Sequence, residues 1–164
     1  MISRVSHWST RYGRGWRRLE VSALSITAIF IVALAFRVGK AGNVWSILLA
    51  VPAGMLLADF LSGFVHWFAD TWGDTDLPII GKTLIRSFRE HHVDPLDITR
   101  HDFVEANGNS ALVSIPVLGV TAFVPVATAW GVFYSAGLLV ASTALILTNQ
   151  IHRWAHMARP ARII

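Results

Sequence analysis

Three long stretches of the chain contain no charged residue and no histidine. They cover residues 21–36, 41–58 and 111–150. A transmembrane helix needs about 20 mostly apolar residues, so the last stretch is long enough for two helices. The pattern therefore predicts an all-α integral membrane protein with four transmembrane helices. We expect these spans at about 19–36, 44–68, 111–129 and 133–151.

Lysine and arginine are distributed unevenly between the predicted spans. The N-terminal tail carries five, the segment after the first span two, the segment between the second and third spans four, and the C-terminal segment three. Cytoplasmic segments of membrane proteins are enriched in these residues. The distribution predicts that both termini are cytoplasmic, and we expect a bacterial inner membrane. Because the basic residues follow the membrane segments, no nucleic-acid partner is expected.

The predicted organisation is a basic cytoplasmic tail, residues 1–18, followed by one membrane domain, residues 19–164. Between the second and third spans, residues 70–110 hold eight of the chain's 10 acidic residues and four of its 14 basic residues, half of the charged residues in total. A simple connection between helices does not need this charge density. We therefore predict that residues 70–110 form a functional headpiece on the cytoplasmic side.

The amino-acid composition excludes several classes of protein and several kinds of metal site. Hydrophobic residues make up 54% of the chain and charged residues 15%, whereas a soluble domain has about 25% charged residues. Secreted, disordered and coiled-coil classes therefore fit poorly. The chain has no cysteine, so disulfides, thiolate metal sites and cysteine nucleophiles are excluded, and any metal is held by nitrogen and oxygen.

Six of the seven histidines are predicted on the cytoplasmic face. His66 and Asp70, and likewise His152 and His156, are four residues apart, so each pair shares one helix face. Imidazole and carboxylate suit iron, manganese, zinc or copper. Six imidazoles are more than one tetrahedral zinc binds, which favours a binuclear centre, with iron for oxidative chemistry beside lipid. The predicted ligands are His66, His91, His92, His101, His152 and His156.

Four other polar residues are predicted to act at the site. Asp59 lies inside a predicted span, where a carboxylate is costly, and we interpret it either as a catalytic-site carboxylate that orients an imidazole or as a structural link between helices. Asp70 is also predicted to be catalytic. Arg89 is predicted to bind substrate, as is Asn107, although its Asn-Gly-Asn stretch is equally typical of a turn. A lone interfacial histidine such as His7 is interpreted as structural or facing headgroups.

Seven motifs follow one another along the chain. They are 58–60 (Ala-Asp-Phe), 65–67 (Val-His-Trp), 69–73 (Ala-Asp-Thr-Trp-Gly), 88–92 (Phe-Arg-Glu-His-His), 99–103 (Thr-Arg-His-Asp-Phe), 105–108 (Glu-Ala-Asn-Gly) and 149–156 (Asn-Gln-Ile-His-Arg-Trp-Ala-His). In this order the motifs resemble the lipid desaturase family, which includes plasmanylethanolamine desaturase, a bacterial carotenoid-synthesis regulator and, more distantly, a plastid desaturase that acts on phosphatidylglycerol. The likeness covers about residues 45–160, and its later motifs favour the plasmanyl branch.

The resemblance implies a membrane enzyme with two iron ions that uses O2 to form the vinyl-ether bond of plasmalogens from plasmanyl phospholipids. It also implies an external electron donor of the cytochrome b5 or ferredoxin type. The family's histidines map onto the six predicted ligands. Members of the family continue with a His-His-x-x-His-His box beyond the last residue of this chain, so we expect residues 1–164 alone to hold fewer than two ions and to turn over little or no lipid.

Two other classes of function are compatible with the same residues. A zinc-dependent membrane hydrolase would use one three-ligand site and a metal-bound water. A non-catalytic membrane regulator of the carotenoid and light response would need no complete metal centre. Metal content separates these alternatives from an iron-dependent desaturase.

Overall fold

The computed structural model describes residues 13–78, 81 and 85–157. His7, Lys82 and most of the predicted basic tail lie outside the described residues. Within them the chain is all-helical and has no strand, which confirms the predicted class. A 3₁₀ turn covers Asp97–Arg100. The α-helices are α1 (Arg14–Ala41), α2 (Val44–Thr71), α3 (Arg86–Val93), α4 (Phe103–Thr121) and α5 (Ala129–His156).

Three of the described helices, α1, α2 and α5, are long and apolar enough to cross a membrane. Each has 28 residues and is therefore about 42 Å long at about 1.5 Å per residue. The remaining long helix, α4, has 19 residues and is more polar in its first half, where Glu105, Asn107 and Asn109 lie. The described structure thus supports three of the four predicted spans by length and composition.

The bounds of the last two long helices differ from the predicted ones. Helix α4 begins at Phe103 rather than near residue 111, because the side chain of Asp102 accepts a hydrogen bond from the Glu105 amide (3.0 Å) and caps the helix. Its first eight residues therefore belong to a helix and not to a headpiece loop. Helix α5 begins at Ala129 rather than near residue 133, because Thr128 caps it in the same way.

The long helices pack as two parallel pairs. Along α1 and α4, Arg17 contacts Asp102 near one end and Arg37 contacts the carbonyl oxygen of Ala122 near the other. Helices α2 and α5 run side by side in the same direction, and a Cβ atom added to Gly54 would lie 2.5 Å from the Gly137 carbonyl oxygen. Close backbone approach at small residues is typical of packing between membrane helices.

The two pairs are antiparallel to each other and meet through α4 and α5. Asn149 donates from its side chain to the carbonyl oxygen of Ala106 (2.9 Å). Ala23, Ala111 and Ile146 form a buried cluster where α1, α4 and α5 meet. As a result, α1 and α4 begin, and α2 and α5 end, at the same end of the bundle, where α3 and the 3₁₀ turn also lie.

Candidate metal centre

Helices α2 and α5 each end with two potential ligands on one face. His66 and Asp70 lie in the last turns of α2, and His152 and His156 lie in the last turns of α5. Residues four apart on a helix are neighbours, so each helix directs two donor groups to one place. The predicted spacing is therefore present at the ends of both helices.

The short helix α3 supplies the remaining two imidazoles. His91 and His92 are consecutive, and consecutive residues on an α-helix lie about 100° apart around its axis. The two rings consequently face different neighbours. His91 meets the end of α5, and His92 meets the end of α2.

The first set of ligands, here called the histidine group, consists of His91, His152 and His156. The Nε2 atoms of His91 and His152 are 3.0 Å apart. The ring of His156 lies 5.1 Å from that of His91 and 4.7 Å from that of His152, measured between centroids. All three side chains are half-buried, and their ligand atoms lie within 4.8 Å of one another.

The second set, here called the mixed group, consists of His66, Asp70 and His92. One carboxylate oxygen of Asp70, Oδ2, lies 3.2 Å from His66 Nε2 and 3.1 Å from His92 Nε2. The other oxygen, Oδ1, is buried and has no hydrogen-bond partner among the described residues. Asp70 thus joins two imidazoles through one oxygen and leaves the other oxygen available.

The two groups are adjacent. His91 of one group and His92 of the other are consecutive in sequence, and their ring centroids are 6.1 Å apart. His66 is close enough to His91 to influence its ionisation. Two three-donor sets therefore lie side by side at one end of the bundle.

The loop after α2 holds α3 in place. Gly73 has a φ of +84°, and a Cβ atom at this position would lie 2.5 Å from Cδ1 of Ile85, which is itself buried. Glycine alone adopts this backbone region without strain. Arg89 donates to the Gly73 carbonyl oxygen (3.1 Å), and the ring of Phe88 packs edge-on against His66 at 4.8 Å. These contacts fix the position of both imidazoles of α3.

The electrostatics of the site favour neutral imidazole. Burial lowers the pKa of His91 below the usual histidine value, and the nearby His156, His92 and His66 lower it further, while Asp70 opposes them. A histidine binds metal through the neutral ring. The surroundings of His91 thus stabilise the form that a metal site requires.

The donor set fits a transition metal held by nitrogen and oxygen. Two nitrogens bound to one ion at about 2.0–2.1 Å lie about 3 Å apart at bond angles near those of tetrahedral or octahedral sites, and His91 and His152 have this separation. The unpartnered Oδ1 of Asp70 offers a further donor. Imidazole and carboxylate without thiolate suit iron, manganese, zinc and copper.

Two of the predicted site residues lie elsewhere. His101 is outside both groups, with its Nε2 atom 3.3 Å from Asp97 and 3.8 Å from Glu105. Asp59 is exposed on α2 and has no hydrogen-bond or ion-pair partner among the described residues. It precedes His66 by seven residues, about 10 Å along the helix. The carboxylate that contacts this imidazole is Asp70.

The two predicted substrate-binding residues have structural contacts. Asn107 is fully buried, and its amide donates to the carbonyl oxygen of Phe103 (2.7 Å) and to the side-chain oxygen of Gln150 (3.3 Å). It therefore bridges α4 and α5 two residues before the first ligand of α5, His152. Arg89 is half-buried against the loop after α2.

Sequence reasoning missed the roles of Gly73 and Gln150. Gly73 directly follows the C-cap residue of α2, where a left-handed glycine is common, but the predicted span ended near residue 68 and so did not place it there. The pairing of Gln150 with Asn107 has no local signal, because it depends on how α4 and α5 pack.

The sequence is similar to those of known membrane-lipid desaturases. Residues 55–164 match the family described as the lipid desaturase domain. Plasmanylethanolamine desaturase of Myxococcus xanthus is 44% identical over 155 residues, 93% of this chain and 55% of that protein. Plasmanylethanolamine desaturase 1 of Mus musculus is 46% identical over 129 residues, 67% of this chain and 42% of that protein.

A more distant relative is chloroplastic fatty acid desaturase 4 of Arabidopsis thaliana, which is 36% identical over 110 residues, 66% of this chain and 32% of that protein. The chain spans about half the length, or less, of these relatives. No solved structure matches it. Because the family match covers more than half of the chain and includes both ligand groups, the chain belongs to the lipid desaturase domain family.

Proposed function

We propose that the protein is a lipid desaturase whose centre holds two iron ions, one in the histidine group and one in the mixed group. The observation that carries the proposal is the pair of adjacent three-donor sets, joined by the consecutive His91 and His92. Membership of the lipid desaturase family supports the same reaction class.

In this proposal all four long helices cross the membrane. Helix α4 is about 28 Å long, close to the roughly 30 Å of hydrocarbon. It also follows α1 from Arg17 to Arg37, which supports a common depth for the two helices. The ligand groups then lie at the cytoplasmic face of a bacterial inner membrane, with both termini on that side, as the distribution of basic residues favours.

Each protein group has a distinct task. The three imidazoles of the histidine group would hold one ion. His66, His92 and Oδ1 of Asp70 would hold the other, while Oδ2 of Asp70 fixes the orientation of both rings of the mixed group. Such carboxylates commonly set ring orientation and ligand basicity. When bound, iron supplies the O2-dependent oxidation that removes two hydrogens from a lipid chain.

We further propose that the substrate is a plasmanyl phospholipid and the product its vinyl ether, since two relatives are named for plasmanylethanolamine desaturation. In this reaction the alkyl chain loses two hydrogens, and O2, two protons and two electrons become two waters. The electrons require an external electron-transfer protein, which would approach the cytoplasmic face where both ligand groups lie.

The test is expression of the complete gene product in a bacterial host that makes plasmanyl lipid but no plasmalogen. Vinyl-ether lipid is measured by its acid lability. We expect vinyl ether with the parent protein and none with His152→Ala or His92→Ala. The matched control His7→Ala removes an imidazole outside both groups and should retain activity.

Three results would contradict the proposal. One zinc ion per chain in the histidine group, without vinyl-ether formation, would favour the hydrolase. No metal at all, with normal folding, would favour a non-catalytic membrane regulator. Vinyl-ether formation that survives both histidine variants would exclude the proposed centre.

A further inference from the structure

The side chain of Glu20 lies in the interior of the bundle, between α1 and α4. It is 2% exposed, and its Oε2 atom is buried and has no hydrogen-bond partner among the described residues. Gly108 of α4 makes room for it, because a Cβ atom on this glycine would lie 2.5 Å from Cβ and 2.9 Å from Cδ of Glu20. The contact between the two helices is therefore built around a carboxyl group, although burial of a polar group without a partner is costly.

The surroundings of Glu20 favour the neutral carboxylic acid. Arg17, one turn earlier on the same face of α1, donates both terminal nitrogens to Asp102, at 2.7 and 2.6 Å. The charges that reach Glu20 from α4 are those of Glu105 and Asp102, and both are negative. A carboxyl group in a dry interior becomes neutral rather than remain an isolated anion. We therefore expect Glu20 to hold a proton.

Glu20 belongs to a buried polar layer between α1, α4 and α5. The layer lies one helical turn from the apolar cluster where these three helices meet, and its other members are Asn107, fully buried, and Gln150, 5% exposed. The amide of Asn107 donates to the side-chain oxygen of Gln150 (3.3 Å), while its own Oδ1 atom is buried and has no partner among the described residues. A water molecule between the Glu20 hydroxyl and this oxygen would satisfy both groups, as buried waters commonly do.

One side of the polar layer is next to the histidine group. Gln150 precedes His152 by two residues, about 3 Å along α5, and His152 is one of the three imidazoles of that group. A proton that leaves Glu20 therefore crosses only this layer to come near the ligands of α5.

The other side of Glu20 is connected to the surface by Glu105. This residue is close enough to influence the ionisation of Glu20, lines a groove at the surface and has a side chain that is 24% exposed. Its Oε1 atom lies 3.8 Å from His101 Nε2, a second group that exchanges protons. Asp102 is less suited to this task, because Arg17 binds both of its carboxylate oxygens.

We propose that Glu20 supplies protons to the proposed desaturation. Its carboxylic acid gives a proton through the polar layer toward the histidine group and becomes a carboxylate, and a proton from the surface, passed on by Glu105, restores the acid. The inference rests on the proposed function, in which each O2 takes up two protons and two electrons besides the two hydrogens of the lipid chain. Carboxylates and histidines within membrane segments commonly relay protons in this way.

Infrared spectroscopy of the metal-free complete gene product at neutral pH tests the acid directly. The difference spectrum between the parent and Glu20→Gln should contain the C=O band of a protonated carboxylic acid, which shifts in D2O. The matched control Asp102→Asn should remove a carboxylate band instead, because the ion pair with Arg17 holds the pKa of Asp102 at about 2. A carboxylate band in the Glu20→Gln difference spectrum would overturn the proposal.

Turnover of the iron-loaded complete gene product tests proton supply. Glu20→Gln keeps the size and neutrality of the acid but has no proton to give, so we expect kcat to fall about tenfold or more and the solvent deuterium isotope effect on kcat to rise. Glu20→Asp should recover part of the loss, Asp102→Asn should retain turnover, and thermal unfolding of each variant verifies folding.

Two outcomes of the turnover assay would also overturn the proposal. One is an unchanged kcat in Glu20→Gln. The other is a loss of turnover with an unchanged isotope effect and no recovery in Glu20→Asp, which would show that the side chain is only structural.

Failure of this inference is distinct from failure of the proposed function. A parent protein that binds iron but forms no vinyl ether would contradict the function, and the proton supply would fall with it even if the infrared band of the acid is present. An active parent together with an equally active Glu20→Gln would contradict the proton supply alone.

Discussion

Replacement of Asp70 by asparagine should weaken metal binding in the mixed group. Oδ2 of Asp70 lies 3.2 Å from His66 and 3.1 Å from His92, so one substitution affects two imidazoles. The amide is nearly the same size as the carboxylate but lacks its charge and one acceptor. Loss of a carboxylate that orients metal-bound imidazole typically reduces metal affinity about 10- to 100-fold, equivalent to about 1.4–2.8 kcal/mol.

The assay is anaerobic titration of the metal-free protein in detergent with Fe²⁺, followed by competition with a chelator of known affinity. Asp59→Asn is the matched control, because it makes the same chemical change on the same helix at an exposed position without a partner among the described residues. We expect affinity to fall in Asp70→Asn and to remain constant in Asp59→Asn. Equal affinity in both variants, or a loss only in Asp59→Asn, would refute the assignment of Asp70.

Three further predictions concern the scaffold. Gly73→Ala strains a backbone φ of +84°, so we expect it to destabilise α3 by about 1–3 kcal/mol and to lower metal content. Gly63→Ala is the control, because this glycine has open space around it, and it should retain metal. Metal analysis after gel filtration compares the two variants. Arg37→Ala removes donors from the carbonyl groups at the end of α4 and should lower stability by about 1–3 kcal/mol, with partial recovery in Arg37→Lys, measured by thermal unfolding. The Arg17 ion pair holds the pKa of Asp102 at about 2, below its unfolded value of about 3.9. Its small stabilisation at this exposed site should therefore be present above about pH 4 and lost as pH falls through about 2, so that parent and Asp102→Asn unfold alike below pH 2; a difference that persists there would exclude the ion pair as its source.

Local sequence patterns were sufficient for much of the architecture. Charge-free stretches predicted the long apolar helices, and the spacing of His66 with Asp70 and of His152 with His156 predicted the two helix-end ligand pairs. Both features depend on periodicity within a single helix. Five of the six predicted histidine ligands lie in the two groups. The two helix-end pairs need only one helical turn to bring their ligands together, whereas His91 and His92 reach them through the packing of α3.

The remaining features depend on contacts between helices. The start of α4 at Phe103 follows from a cap at Asp102, in a segment whose charges are equally typical of a loop. Asn107 is buried only because α4 packs on α5, and a turn-like Asn-Gly-Asn stretch does not reveal this pairing. Asp59 illustrates the converse: its place inside a predicted span suggested a role at the site, but it is exposed and about two helical turns from His66.

The central claim is that two separate donor sets bind two metal ions. Its most direct test is an anaerobic Fe²⁺ titration of the complete gene product and of its His152→Ala, His92→Ala and double variants, with bound metal measured by mass spectrometry. The account predicts two binding events of different affinity in the parent, loss of a different one in each single variant, and loss of both in the double variant. A single variant that removes both events, or a double variant that retains either, would contradict two independent ligand groups.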